Sequence, residues 1–181
     1  WFSEKHGKVI ESRAWRKAHV MCGTATHIVT AVEVTPSNTA DAPMLPDLAK
    51  TTAKGFTVGE VSADKAYLSY KNTAEIEDLG AKPFIPFKSN SVEPWPGTPW
   101  ARMYHLYAYR SDEFLDHYHR RSNVETVFSM IKRKFGDGIR GRTDTAQDNE
   151  VLAKVLAHNL CVLIQSFHEL GIEADLAKVA A

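Results

Sequence analysis

The sequence predicts a mixed α/β domain, and three observations carry that prediction. An alternating, β-branched stretch opens the chain as a hairpin. Short apolar runs then alternate with helical periodicity through the middle. Two long amphipathic patterns close it. Strands followed by helices in this order imply a mixed sheet flanked by helices.

The elements follow in order. Residues 16–22 read as a first strand, 23–26 as a turn around Gly23, and 28–35 as a second strand with Ile28, Thr30, Val32 and Val34 on one face. Pro36 to Asn38 ends the hairpin, and Thr39 or Asp41 is placed to cap a short helix reaching Lys54 before Gly55. Residues 56–63 read as a buried strand ending at Asp64. Residues 69–79 read as a helix stopped by Gly80, and 83–87 as a short apolar strand. Residues 88–100, with Pro94, Trp95, Pro96, Gly97, Pro99 and Trp100, read as a loop. One long helix is predicted over 112–135, ended by Gly136 and Gly138, and another over 148–170, stopped by Gly171.

The chain has 181 residues, enough for one domain with a core, and 44% hydrophobic with 24% charged residues is ordinary for a globular protein. No uninterrupted apolar run approaches the ~20 residues of a membrane span, and no leader is visible. Position 1 is Trp, so a longer parent product is expected. Two distant cysteines, Cys22 and Cys161, fit a reducing cytosol better than a disulfide framework. Net charge is zero, but Arg120, Arg121, Lys132, Arg133, Lys134, Arg140 and Arg142 face only Glu125 and Asp137 between residues 120 and 142. Such a band can track a polyanionic backbone or be a solvated helix face.

The most informative segment is 118–132. Read as a helix turning about 100° per residue, it sets Tyr118, Arg121, Glu125 and Lys132 on one stripe. A carboxylate flanked by a phenol and two cations is either a structural ion pair or a metal ligand with phosphate-holding neighbours. Asp64, just past a buried strand, lies where open α/β sheets place ligands; alternatively it is a helix cap or turn residue. Two carboxylates from separate elements can hold Mg²⁺, which favours hard oxygen donors.

On these residues the chain resembles insertion-sequence transposases of the DDE type. Tyr118, Arg121, Glu125 and Lys132 meet that family's spaced signature, and residues 62–69 resemble the strand carrying its second aspartate. Trp15 to His19, Thr35 to Asp41, and Lys154 to Leu160 resemble its hairpin, following turn and final helix. The resemblance runs over 1–171 as a partial catalytic domain, leaving 172–181 as a C-terminal tail. It implies a ribonuclease-H-like fold and metal-dependent cutting and joining of DNA at element ends. Asp64 and Glu125 would be the second and third catalytic acids and the metal ligands. Tyr118, Arg121 and Lys132 would hold the DNA backbone or terminal phosphate. The implied cofactor is Mg²⁺ (or Mn²⁺), with two ions in the complete protein. The implied partner is double-stranded DNA, both element ends and target, with no membrane. A homodimer is consistent with bringing two ends together. The implied setting is the cytoplasm of a bacterial-type cell, at the nucleoid.

One departure matters. The family's first aspartate lies on a strand before the segment resembling Trp1 to Ser3, and Asp41 and Asp47 are poor substitutes because both follow the hairpin. The fragment is therefore expected to be inactive alone. Two rival readings are a non-catalytic DNA-binding remnant and a ribonuclease-H-like nuclease that cuts without joining.

Other signals have plainer readings. His19 with Cys22 and His158 with Cys161 invite a zinc site, but residues three apart on a strand face opposite sides, which favours a buried thiol and a hydrogen-bonded histidine. Trp95 and Trp100 can stack on an unpaired base, or pack over the core as such loops more often do. His117 and His119 read as exposed or backbone-contacting, and Phe128 and Ile131 as core contacts.

Overall fold

The computed structural model describes residues 15–89, 91 and 95–171. The segment resembling Trp1 to Ser3, Pro94 and the tail 172–181 lie outside them. The architecture is mixed α/β.

The hairpin forms as its β-branched composition requires. Strand β1 (Arg16–Cys22) pairs antiparallel with β2 (Val29–Pro36), Arg16 opposite Pro36 and Cys22 opposite Val29, with an irregularity at Met21 and Cys22. On β2 the fully buried positions are Val29 and Ala31, on the face opposite to that of Thr30, Val32 and Val34. Helices cover both sides of the ribbon. Val29 packs with Val127, Ile131 and Val155, while Thr30 on the opposite face hydrogen-bonds Thr52 Oγ1 at 2.9 Å.

Helix α1 (Leu45–Ala53) follows a 3₁₀ turn at Ala42–Met44. Asp41 makes no cap there, because its carboxylate takes Lys17 Nζ at 2.7 Å. Strand β3 (Glu60–Ser62) is shorter than the predicted 56–63; Phe56 is exposed, and of the segment just before Gly59 only Val58 packs on the core. Ser69 caps helix α2 (Tyr70–Asp78) by accepting from Asn72 N at 3.0 Å, and β4 (Lys82–Phe84) runs parallel to β3.

The predicted single sheet is instead two two-stranded sheets, β1–β2 and β3–β4. Among the described residues β1 and β3 each pair on one side only. Between them lies a cavity of about 150 Å³, lined by Ala18, Val20 and Cys22 of β1, by 60–64, and by Leu45, Leu48, Val124 and Phe128.

A helix that the loop reading missed, α3 (Pro99–Tyr109), follows, with Thr98 accepting from Ala101 N at 3.1 Å and Pro99 in the first turn. Its Trp100 is buried, stacked on Tyr70 with ring centroids 4.0 Å apart, whereas Trp95 is 82% exposed. The predicted helix 112–135 is broken into α4 (Ser111–Tyr118), a 3₁₀ turn at His119–Arg121, and α5 (Ser122–Phe135). Two side chains compete for the carbonyls at the break. Ser62 Oγ donates to the His117 carbonyl at 2.9 Å, and Asn123 Nδ2 to that of Arg120 at 2.9 Å.

The last helix, α6 (Asp144–Leu170), starts earlier than predicted, capped by Thr143 and closed by left-handed Gly171 (φ 63°). It is long and apolar enough to cross a membrane, its best 18-residue window having mean hydropathy 1.3. Polar bonds dock it on the hairpin instead: Asn159 brackets Val29 N and O at 2.8 Å, and Arg16 Nε donates to Asp148 at 2.7 Å. Its other face leaves Leu152, Leu156, Leu160, Leu163 and Ile164 exposed.

Two clusters of buried side chains result. The larger gathers Val61, Ile76, Phe84, Ile85, Trp100 and Phe114; the smaller joins Val29, Val127, Ile131 and Val155. Ile131 is thus a core contact as predicted, while Phe128 is half-buried at the cavity.

Candidate active site at the end of the third strand

Strand β3 delivers Asp64 and helix α5 delivers Glu125, and the two meet through Arg121. Alternation along 60–64 buries Val61 and Ala63 and turns Glu60, Ser62 and Asp64 the other way. Asp64 then caps the 3₁₀ turn Lys65–Tyr67, accepting from Ala66 N at 3.1 Å. The cap reading of Asp64 is therefore correct, and its second oxygen still faces Arg121 Nη1 at 3.6 Å. Arg121 Nη2 donates to Glu125 Oε1 at 2.8 Å, one helical turn on. The acids stay open to solvent, their side chains 50% and 63% exposed.

The 3₁₀ turn shapes this group. Residues three apart eclipse in such a turn, so Arg121 lies over the Tyr118 ring, 5.7 Å from its centroid. Partial burial works against the guanidinium charge, but Tyr118, Glu125 and Asp64 outweigh it and hold its pKa above the ordinary value. Lys132 is exposed in the last turn of α5, seven residues and so about 10 Å of helix beyond Glu125. The stripe inferred for one unbroken helix is thus kept at Arg121 and Glu125 and bent at Tyr118.

Asp41 stands apart from this pair. It serves Lys17 and approaches His19 Nδ1 at 3.4 Å. His19 is buried between the Tyr67 hydroxyl (3.2 Å) and Thr35 Oγ1 (3.0 Å), and burial lowers its pKa. Burial, reinforced by Asp41 and Asp64, pushes the Tyr67 phenol up to about 12. Cys22 is a thiol pushed by burial to about 11, and His158 Nε2 bonds the His27 carbonyl at 3.0 Å. Among the described residues no group of three or more His, Cys, Asp or Glu is placed to hold a metal ion.

Asp64 and Glu125 nonetheless fit a divalent cation in kind: both are exposed carboxylates, both are hard donors, and both already face one shared positive charge. Sequence reasoning missed Glu60 and Ser62, and its reading of His117 as exposed or backbone-contacting is corrected, because the ring is half-buried and engages side chains. Glu60 binds His117 Nδ1 at 2.6 Å and Arg120 Nη1 at 2.5 Å, and His117 stacks on Phe84 with centroids 4.4 Å apart. The polar alternation Glu60, Ser62, Asp64 was the available signal.

No curated protein and no solved structure matches the chain. The family described as Transposase DDE domain matches residues 1–160, most of the 181. Members of that family are phosphoryl-transfer enzymes that generally use divalent metals, and the domain implies DNA transposition and DNA binding. Matched over residues 1–160, most of its length, this chain belongs to the transposase DDE domain family.

Proposed function

We propose that this chain is part of the catalytic domain, spanning 1–171, of a bacterial-type insertion-sequence transposase acting in the cytoplasm at the nucleoid. Its reaction is DNA strand cleavage at element ends followed by strand transfer. The reading rests on one observation: Arg121 brings Asp64 and Glu125, from separate elements, to a common point. Asp64 and Glu125 are the second and third acids and the residues that hold Mg²⁺ or Mn²⁺. When bound, the cation supplies activation of the attacking hydroxyl and relief of charge on the leaving oxygen.

The chain's own residues do the rest. Arg121 is oriented by Tyr118 beneath it and offers a planar fork to a phosphate. Lys132, exposed further along α5, adds a point charge for the DNA backbone. The fold is a ribonuclease-H-like sheet. The cavity between β1 and β3 supports that reading, because its two strands are each unpaired on one side among the described residues. An extended segment bearing the first aspartate, paired to the open edges of both strands, would complete one sheet. Without that acid, the 181-residue chain is expected not to cleave DNA.

The test is to add an upstream strand bearing Asp and assay cleavage and joining of terminal-repeat DNA with Mg²⁺. Activity is expected only in the extended protein, and Asp64→Asn or Glu125→Gln should each lower it by at least about 10³-fold, the scale of losing a group that acts only in the transition state. Robust cleavage by the 181-residue chain alone would overturn the inactivity. Salt-sensitive DNA binding with no cleavage by the extended protein would replace the reading with a binding remnant. Cutting without joining of pre-cut ends would replace it with a nuclease.

A further inference from the structure

We propose that Glu60 is a positioning residue: with Ser62 and His117 it splints β3 to the break between α4 and α5, and so sets the separation of Asp64 and Glu125. The proposal rests on the reading of those two acids as a cation-binding pair.

Three alternate residues of one strand face engage one five-residue segment. Glu60 accepts from His117 Nδ1 at 2.6 Å and from Arg120 Nη1 at 2.5 Å. Ser62 Oγ donates to the His117 carbonyl at 2.9 Å. Asp64 meets Arg121 at 3.6 Å. Because a strand advances about 3.3 Å per residue, positions 60, 62 and 64 present a ruler about 13 Å long against residues 117–121. The segment it measures is the 3₁₀ turn from which α5 departs, and Glu125 lies on the first turn of α5.

The contacts are also chosen to fix an angle. A carboxylate held on both oxygens cannot rotate freely, and the His117 ring is pinned from a second direction by Phe84, interplanar angle 9°. A carboxylate accepts only, so His117 Nδ1 carries the proton and its tautomer is set. Ion pairs this close to solvent add little to stability. What the cluster controls is the direction in which α5 leaves β3, and hence where Glu125 stands relative to Asp64. Outer partners that orient metal-binding side chains act in this way on affinity.

The experiment uses the 181-residue chain with Mn²⁺ as the probe, free and bound ion being separated by electron paramagnetic resonance, alongside thermal melting. Wild-type protein should bind Mn²⁺ in a manner lost in Asp64→Asn and in Glu125→Gln. Glu60→Gln should weaken binding about tenfold with little change in melting temperature. His117→Ala should do the same, whereas His117→Asn, which keeps a donor near the Nδ1 position, should recover most of the affinity. Arg120→Gln, on an exposed side chain, supplies the measurement if Glu60→Gln does not fold, with a loss of several-fold expected. Wild-type affinity in folded Glu60→Gln or in Arg120→Gln, with Asp64→Asn still deficient, overturns the splint and leaves the acid pair standing. Mn²⁺ binding that ignores Asp64→Asn and Glu125→Gln overturns the acid pair, and the splint with it.

Discussion

At the residue scale, single side chains here are chosen for placement more than for strength. His19 shows this. It is buried against the Tyr67 hydroxyl and Thr35, with Asp41, Lys17 and Glu33 the charges that act on it. Burial depresses its pKa below 6.5, so the unfolded chain binds the extra proton first. The sign follows: this contribution is fully present above about pH 6.5 and is lost as pH falls towards the lower, folded value. Melting temperature should therefore drop between about pH 7 and 5, and His19→Gln should flatten that drop while costing about 1–3 kcal/mol at pH 7.5 through lost buried hydrogen bonds. Equal slopes in both proteins would refute it. The spacing of Tyr118, Arg121, Glu125 and Lys132 was legible at this scale, because it is a fixed pattern of chemically distinctive letters. Glu60 and His117 were not, since their pairing spans 57 positions and only folding brings them together.

At the scale of elements, the sequence showed where helices stop more clearly than where they start or bend: Gly80, Gly136 and Gly171 follow helix ends close to those read from the sequence, whereas the last helix begins at Asp144 and not at 148. Ser69 and Thr143 cap where hydroxyls precede helical periodicity. Thr98 followed by Pro99 carried the same signal for α3, masked by the surrounding prolines and tryptophans. The bend at 119–121 was invisible because its cause, Ser62 on the His117 carbonyl, is tertiary. One close approach is testable. A Cβ at Gly141 would stand 2.7 Å from the backbone of Ala146 and Gln147, in the first turn of α6. Backbone cannot yield as a side-chain tip can, so Gly141→Ala should destabilise by about 1–3 kcal/mol. Gly138→Ala has open space and is the control. Chemical denaturation of the two variants decides, and an unchanged midpoint in Gly141→Ala refutes the contact.

At the scale of the whole molecule, the mixed α/β class was legible from element order, but the division into two sheets was not, since pattern alone does not say which strands pair. The two buried clusters predict separable energetics. Phe114, fully buried in the larger, should cost about 3–5 kcal/mol on mutation to Ala, and Val155, in the smaller, about 1–3 kcal/mol. With no shared partners the two losses should add within about 0.5 kcal/mol, and a larger coupling in the double mutant would show that the clusters are one. Asp64 follows Ala63 of the first cluster, while Glu125 rides on the helix that carries Val127 and Ile131 of the second. The guanidinium between them is thus a clasp across a seam, reaching Asp64 by an ion pair at 3.6 Å that is open to the medium. Screening lengths shrink to about 8 Å at physiological ionic strength and about 3 Å at 1 M. Brine should accordingly loosen the clasp long before it melts either half, so that ambient electrolyte tunes the molecule's poise while its core stays intact.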